Sequence, residues 1–394
     1  MRIPVLAAAL AVAATTALAE APLEARLNAV IDTAIAEKRI VGTVVLVAKD
    51  GEIIYRRAAG LADREAGAPM QEDAIFRLAS VSKPFVTAAA MRLAEEGRLD
   101  LNAPVTRWLP DFRPALPDGT RPDITIHQLL THTSGLGYSF LEPADGPYHR
   151  LNVSDGMDQP GLSLDENLAR LSAAPLYFTP GEGWRYSLGI DVLGGVLEQA
   201  EGRSLPDIVR DKVTAPLGIT DTGFTVRDPS RLVAAYADAT PEPRRMTDGI
   251  AVPLMGLDTV FAPSRILDPT SYPSGGAGMV GTADDLLRFL EAIRTGGAPI
   301  LKPETVATMT RDQVGPQAQT QGPGWGFGYG WAVLTDPAPT GTPQATGTLQ
   351  WGGAYGHSWF IDPQNGLTVV ALTNTAFAGM AGAFPTAIRN AVYE

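Results

Sequence analysis

Residues 22–38 alternate apolar and polar positions at helical spacing, with Leu23, Leu27, Val30, Ile31 and Ala34 on one stripe, and predict a surface helix packed on a sheet. Val44 to Ala48 and Ile53 to Ala58 read as two strands joined at Lys49-Asp50-Gly51-Glu52, where Asp50-Gly51 suits a type I′ hairpin turn. From Pro84 to about Arg245 helical segments and Pro- or Gly-rich connections dominate, with helices expected over Thr125 to Thr131, Leu164 to Ala173, Leu188 to Gln199 and Leu205 to Leu217. Gly137 to Leu162, rich in Gly, Pro, Tyr and Asp, reads as a long pocket-shaping loop. The last third returns to strands, at Gly328 to Leu334, Gly347 to Trp351, His357 to Ile361 and Leu367 to Thr373. Thr282 caps one late helix, with Asp285 three places on, and Phe384 to Val392 forms another. This order predicts an α/β fold of the α+β type. Both ends of the chain (20–79 and 246–394) form one lobe, a mainly helical lobe (80–245) is inserted between them, and a cleft lies at the junction.

The helix expected after Pro84 is unusual because it is apolar on nearly every face, from Phe85 to its stop at Gly97, which marks a buried central helix. Just ahead of it stands Ala79-Ser80-Val81-Ser82-Lys83-Pro84, with a serine hydroxyl three residues before a lysine. Ser80 and Lys83 therefore share a face one turn apart, and no other serine in the chain has lysine at that spacing. A hydroxyl at a helix N-terminus sits in the positive end of the dipole, and a desolvated amine beside it can accept its proton. The plain alternative is an N-cap serine and a solvated lysine, but lysine on a buried helix has little solvent to meet.

Composition narrows the setting. Met1-Arg2, the apolar run Val5 to Ala14 and the small-residue site Ala17-Leu18-Ala19 read as a secretory signal peptide (1–19), so a mature chain from Glu20 in a bacterial periplasm or beyond is expected. No later stretch approaches the roughly 18 to 20 apolar residues of a membrane span. The remaining chain, about 375 residues, exceeds the roughly 250 to 300 at which one core stops growing, which agrees with two lobes. A formal charge of -12 argues against nucleic-acid or anionic-membrane partners. With no cysteine and four histidines (His127, His132, His149, His357), none at ligand spacing, neither a disulfide framework nor a metal is expected. No phosphate loop or dinucleotide fingerprint occurs, so no cofactor is expected either.

Two further segments suit the cleft. Gly181-Glu182-Gly183-Trp184-Arg185-Tyr186-Ser187-Leu188 is a turn entering a helix, and a phenol placed there can sit near a lysine and relay a proton; it can equally be a tyrosine packed at a helix entry. Trp351-Gly352-Gly353-Ala354-Tyr355-Gly356-His357 reads as an edge strand whose glycines let a substrate lie against the backbone, or as a Gly-rich hairpin corner. An amide on that strand could join the Ser80 amide as an oxyanion hole.

Taken together, Phe76 to Lys83, Leu129-Leu130-Thr131-His132-Thr133-Ser134-Gly135-Leu136, Tyr186-Ser187-Leu188 and Trp351-Gly352-Gly353 make the whole chain after the signal resemble the serine β-lactamase and penicillin-binding-protein superfamily. The resemblance is nearest the class C β-lactamase-like branch and, within it, the family VIII carboxylesterases. It implies the β-lactamase/transpeptidase-like fold, with an antiparallel sheet flanked by helices. By motif position it makes Ser80 the acylated nucleophile, Lys83 its base or relay, Tyr186 a partner in proton transfer, and the amides of Ser80 and Ala354 the oxyanion hole. Two positions depart from the β-lactamase pattern. Leu188 stands where that pattern has asparagine, and Trp351-Gly352-Gly353 where it has lysine, threonine, glycine. An indole in place of that cation removes a contact to a β-lactam carboxylate worth roughly 1.5 to 3 kcal/mol, so uncharged esters fit better. Trp351, Gly352, Gly353, Tyr138, Tyr355 and His357 are candidate pocket walls.

The expected protein is thus an exported serine carboxylesterase acting on short-chain esters, a monomer or homodimer. The alternatives are a class C-like β-lactamase or D-amino-acid peptidase, and a penicillin-binding sensor that acylates without turnover. A Ser-His-Asp hydrolase using His357 ranks last, because no G-x-S-x-G elbow is present. Lys83 is expected either to be partly neutral at rest or to pass its proton to Tyr186, giving activity that rises from mildly acidic to alkaline pH.

Overall fold

The computed structural model describes residues 21–318 and 320–394, so the expected signal segment lies outside the described residues. Helix α1 (Leu23–Ala36) buries Leu27, Ile31 and Ala34, the stripe its periodicity sets. Strands β1 (Gly42–Lys49) and β2 (Glu52–Asp63) follow as a hairpin. Its turn residues Asp50 (φ 51°) and Gly51 (φ 90°) are both left-handed, as a type I′ turn requires. With β3 (Ala68–Pro69), β4 (Trp325–Phe327), β5 (Ala332–Leu334), β6 (Leu349–Gly353), β7 (His357–Asp362) and β8 (Leu367–Thr373), they form one antiparallel sheet of eight strands. Its order is β4-β5-β6-β7-β8-β1-β2-β3. The β8–β1 pair joins the C-terminal strands to the N-terminal hairpin, in register from Thr43 opposite Thr373 to Lys49 opposite Leu367.

Alternation along β1 places its side chains in two cores. Val45 and Val47 pack with α1 and with α5 (Ala383–Tyr393) through Leu27, Ile31, Phe384 and Ile388. Val44 and Leu46 face the larger core, which holds α2 (Ser82–Glu95), α3 (Gly189–Glu201) and α4 (Ala283–Arg294). Helix α2 is buried along nearly all its length, ends before Gly97 (φ 70°), and packs against α3. The segment Ile126–Leu130 is a short helix closed by a capping box between Thr125 and Gln128. Thr282 Oγ1 caps α4 by accepting from the Asp285 amide.

Three expected elements differ. The segment expected as one strand over Gly328 to Leu334 is a hairpin, because Gly330 (φ 92°) turns the chain and the Gly328 amide closes the turn on the Trp331 carbonyl. The helix expected over Leu205 to Leu217 is α-helical only to Val209 and continues as a π-helical turn, Arg210–Thr214. The long loop after Gly137 contains two short turns of helix, Ser139–Leu141 and Pro147–Arg150.

Candidate active site

The site begins at a bend. Phe76–Arg77 pairs with Val280–Gly281, the Leu78 amide bonds the Met279 carbonyl, and the chain then turns through Ala79 at φ 46° into a 3-10 turn that carries Ser80. A side-chain-bearing residue in the left-handed region costs about 1–2 kcal/mol, so the bend is held by its surroundings. Ser82 is one fastener: its Oγ accepts from the Met279 amide at 3.0 Å. Ser80 is left half-buried at the start of α2 while Lys83 is fully buried. Lys83 Nζ lies 3.1 Å from Ser80 Oγ and donates to the Gly276 carbonyl at 2.9 Å, so the solvated-lysine alternative does not describe this residue.

Tyr186 sits in the turn entering α3, held where the Arg185 amide bonds the His132 carbonyl and the Leu188 amide bonds the Gly137 carbonyl. Its ring lies 4.6 Å from Lys83 Nζ, and its hydroxyl accepts from Trp351 Nε1 at 3.3 Å. His132 supports the ring from behind at 4.8 Å, with Nδ1 on Ser187 Oγ at 3.0 Å. Burial and the Lys83 charge push its pKa well down, so it is neutral. Leu188 is a core side chain.

Strand β6 carries the third segment. It is not at the sheet's end, because β5 and β4 continue beyond it; β5 pairs only with Leu349 and Gln350, so Trp351 to Gly353 keep an open side. The Trp351 indole packs against Tyr186 at 5.2 Å and Phe327 at 5.4 Å. Gly353 is buried, and a Cβ there would stand 2.3 Å from the Leu78 carbonyl oxygen. That glycine is required by the Ser80 bend rather than by a substrate. The contact sets β6 beside the Ser80 turn. Among the described residues neither the Ser80 nor the Ala354 amide has a hydrogen-bond acceptor, and both residues are half-buried.

Two expected pocket walls are corrected. His357 is fully buried beneath Gly353, with Nε2 on the Arg77 carbonyl at 2.7 Å and its ring edge-on to Phe76. Burial lowers its pKa to about 4, so it is a neutral core histidine that ties β7 to the strand before Ser80. Tyr355 is likewise buried, edge-on to Phe261 at 5.0 Å. Tyr138 joins the site from behind. It is only 2% exposed, stacked on Phe140 and 5.3 Å from Lys83 Nζ, and burial with nearby acidic groups raises its pKa well above the usual phenol value.

Three groups around Lys83 escaped the sequence reading: Gly276 and Asp191 next to the amine, and Ser274, which donates to Asp191. Asp191 had a visible signal, as a carboxylate in the otherwise apolar stretch Gly189 to Leu197 of α3. Gly276 had none, because it acts through its backbone carbonyl.

An antiparallel sheet backed by helices, with a serine at the foot of a buried helix and its lysine one turn on, defines a serine enzyme of the β-lactamase/transpeptidase-like fold. The chain belongs to the Beta-lactamase family, whose model matches residues 27–392. It is 59% identical to Esterase EstB of Burkholderia gladioli over 95% of this chain and 96% of that protein. The solved structure of EstCE1, described as a hydrolase with promiscuous acyltransferase activity, superposes with a TM-score of 0.92 at 53% identity, covering 97% of this chain and all of that one. Unliganded simvastatin synthase (LovD) from Aspergillus terreus shares the fold, with a TM-score of 0.75 at 24% identity over 95% of this chain and 98% of that one.

Proposed function

We propose that this protein is a serine carboxylesterase of the family VIII kind, cleaving short-chain carboxylic esters through an acyl-enzyme on Ser80. The observation that carries the reading is Lys83 Nζ, fully buried and 3.1 Å from a half-exposed Ser80 Oγ, beneath the Tyr186 ring. In the first step Ser80 Oγ attacks the ester carbonyl carbon and its proton passes to the Lys83–Tyr186 pair. The tetrahedral oxyanion rests on the amides of Ser80 and Ala354. The C–O bond to the alcohol then breaks, and the departing alkoxide takes a proton from Tyr186. A water molecule then attacks the acyl-enzyme and gives a proton to the same pair; the C–Oγ bond breaks, Ser80 Oγ takes that proton back, and the carboxylic acid leaves. Trp351 and Gly352 shape the surroundings of the acyl group, and Tyr138 backs the Lys83 amine from beneath. The names of the relatives support ester hydrolysis, and the Trp351 indole, standing where β-lactamases present a cation, disfavours anionic β-lactams.

The test is hydrolysis of p-nitrophenyl butyrate beside the cephalosporin nitrocefin by wild-type protein and Ser80→Ala. The expected result is ester turnover with little nitrocefin cleavage and a loss of about a thousandfold or more in the variant. Wild-type rates in Ser80→Ala would refute the mechanism, and nitrocefin turnover above that of the ester would make the protein a β-lactamase. Among the described residues no helix is long and apolar enough to cross a membrane. Export to the periplasm through a cleavable leader is the location we propose, supported by the residues before Glu20. N-terminal sequencing of protein recovered from the periplasm is expected to begin at Glu20.

A further inference from the structure

Behind Lys83, the first turn of α3 presents Asp191. Its carboxylate is 3% exposed. Oδ1 accepts from Ser274 Oγ at 2.6 Å, while Oδ2 has no hydrogen-bond partner among the described residues. Oδ2 faces Gly276. A Cβ built on that glycine would stand 2.4 Å from Oδ2, 3.0 Å from the Tyr138 hydroxyl and 3.4 Å from Lys83 Nζ. Three polar atoms from three segments therefore converge on a space that exists only because residue 276 has no side chain. The same glycine's carbonyl takes the hydrogen bond from Nζ. A buried carboxylate held by one hydroxyl and an approaching Gly276 amide is costly unless an opposite charge lies close. Here the cation that favours the Asp191 anion most is the amine of the Ser80 site, ahead of Arg265.

We propose that Asp191 is the counter-charge of Lys83, a positioning residue that acts through the lysine, with Tyr138 beside it, to set the pH at which the ester-cleaving site becomes active. The proposal rests on the reading of Ser80, Lys83 and Tyr186 as the acylating machinery, and adds a fourth group to it. The neighbours that could do the same work are few. His132, which faces Lys83, is kept neutral by burial, and burial also keeps the Tyr138 and Tyr272 phenols protonated. Arg265 faces Asp191 from the turn Pro263–Leu267, and Asp155 acts on Tyr138 from the pocket loop. Burial raises the Asp191 pKa above the usual carboxylate value, and the Ser274 hydroxyl, then the Lys83 charge, then Arg265 and the Gly276 amide, work to hold it down.

The sign of the effect does not depend on whether Lys83 or Tyr186 gives up the first proton. A nearby negative charge holds that proton on the pair, so removing the charge lets it leave at lower pH. The experiment is the pH profile of kcat/KM for p-nitrophenyl butyrate in wild type and Asp191→Asn, which keeps the volume and an acceptor for Ser274. The expected result is an acid limb moved down by about one pH unit, with KM within about twofold and the melting temperature retained. A limb that stays, or moves up, in folded Asp191→Asn overturns the proposal however low the rate falls. Gly276→Ala is the second variant. It leaves the carboxylate in the chain but wedges a methyl group between it and the amine, and is expected to move the limb the same way; an unmoved limb there also overturns the proposal. Wild-type turnover in Ser80→Ala would remove the underlying mechanism itself. An inactive Ser80→Ala with an unmoved limb in Asp191→Asn removes only the role of Asp191.

Discussion

Lys83 draws its environment from four separate segments: the Ser80 hydroxyl, the Gly276 carbonyl and the rings of Tyr138 and Tyr186. Each neighbour offers electron density to the amine, through a lone pair or a π face. Trp351 extends the arrangement by donating to the Tyr186 hydroxyl at 3.3 Å, which fixes the phenol oxygen while the indole packs on the ring. Trp351→Phe keeps a ring but loses the N–H donor. A neutral hydrogen bond of this kind is worth about 1 kcal/mol, so kcat is expected to fall about fivefold with KM little changed. Steady-state kinetics on p-nitrophenyl butyrate would check this, and an unchanged kcat would mean that the bond does not hold Tyr186 for proton transfer. At this scale Ser80 and Lys83 were legible because both lie within four residues of chain, across the 3-10 turn that enters α2. His357 was misread, since its neighbourhood to Trp351-Gly352-Gly353 in the chain says nothing about which face of β7 it occupies.

At the scale of elements, the decisive contact is β6 against the bend before α2. Sequence spacing announced a Gly-rich strand, but placed it at an edge and assigned its glycines to a substrate. The structure instead covers Leu349 and Gln350 of β6 with β5 and brings Gly353 against the Leu78 carbonyl. Gly353→Ala would put a methyl group 2.3 Å from that oxygen, so the strand and the Ser80 turn must separate. Overpacking of this kind costs about 1–3 kcal/mol. The expected outcome is a lower melting temperature together with at least about a tenfold loss of kcat, because the Ala354 amide moves away from Ser80. A variant that melts lower but keeps wild-type kcat would show that the two amides do not act together. The hairpin β4–β5 teaches the same lesson about local signals. Residues 328–331 have strand-like composition, yet Gly330 at φ 92° turns them back on themselves.

Across the whole molecule, buried titratable groups make stability depend on pH in opposing ways. His357 has its pKa lowered by burial from 6.5 to about 4. A depressed histidine contributes stability that is present above pH 6.5 and is lost as pH falls toward 4, by roughly 3 kcal/mol in this case. Asp155 is raised by burial, and by the Asp158 charge, from 3.8 to about 7. Its contribution has the opposite sign, complete below 3.8 and lost as pH rises through 7. The two oppose each other over the window between, so the wild-type melting curve alone understates both. The difference between His357→Gln and wild type isolates the histidine: the variant's melting temperature is expected to gain on that of wild type as pH falls from 6.5 to 4. A constant difference would mean that His357 does not resist protonation. The sequence by itself determined the periodic helices, the type I′ hairpin, the buried central helix and the Ser80–Lys83 pair, because each depends on spacings within about a dozen residues. The return of the C-terminal strands to the N-terminal hairpin was expected only as an order of elements. Tertiary structure alone decided which strand faces Ser80, which glycine serves the bend, and that Asp191 stands behind Lys83. Those outcomes depend on backbone carbonyls and side-chain directions brought together across 100 to 300 positions of chain, where no local pattern of residues records them.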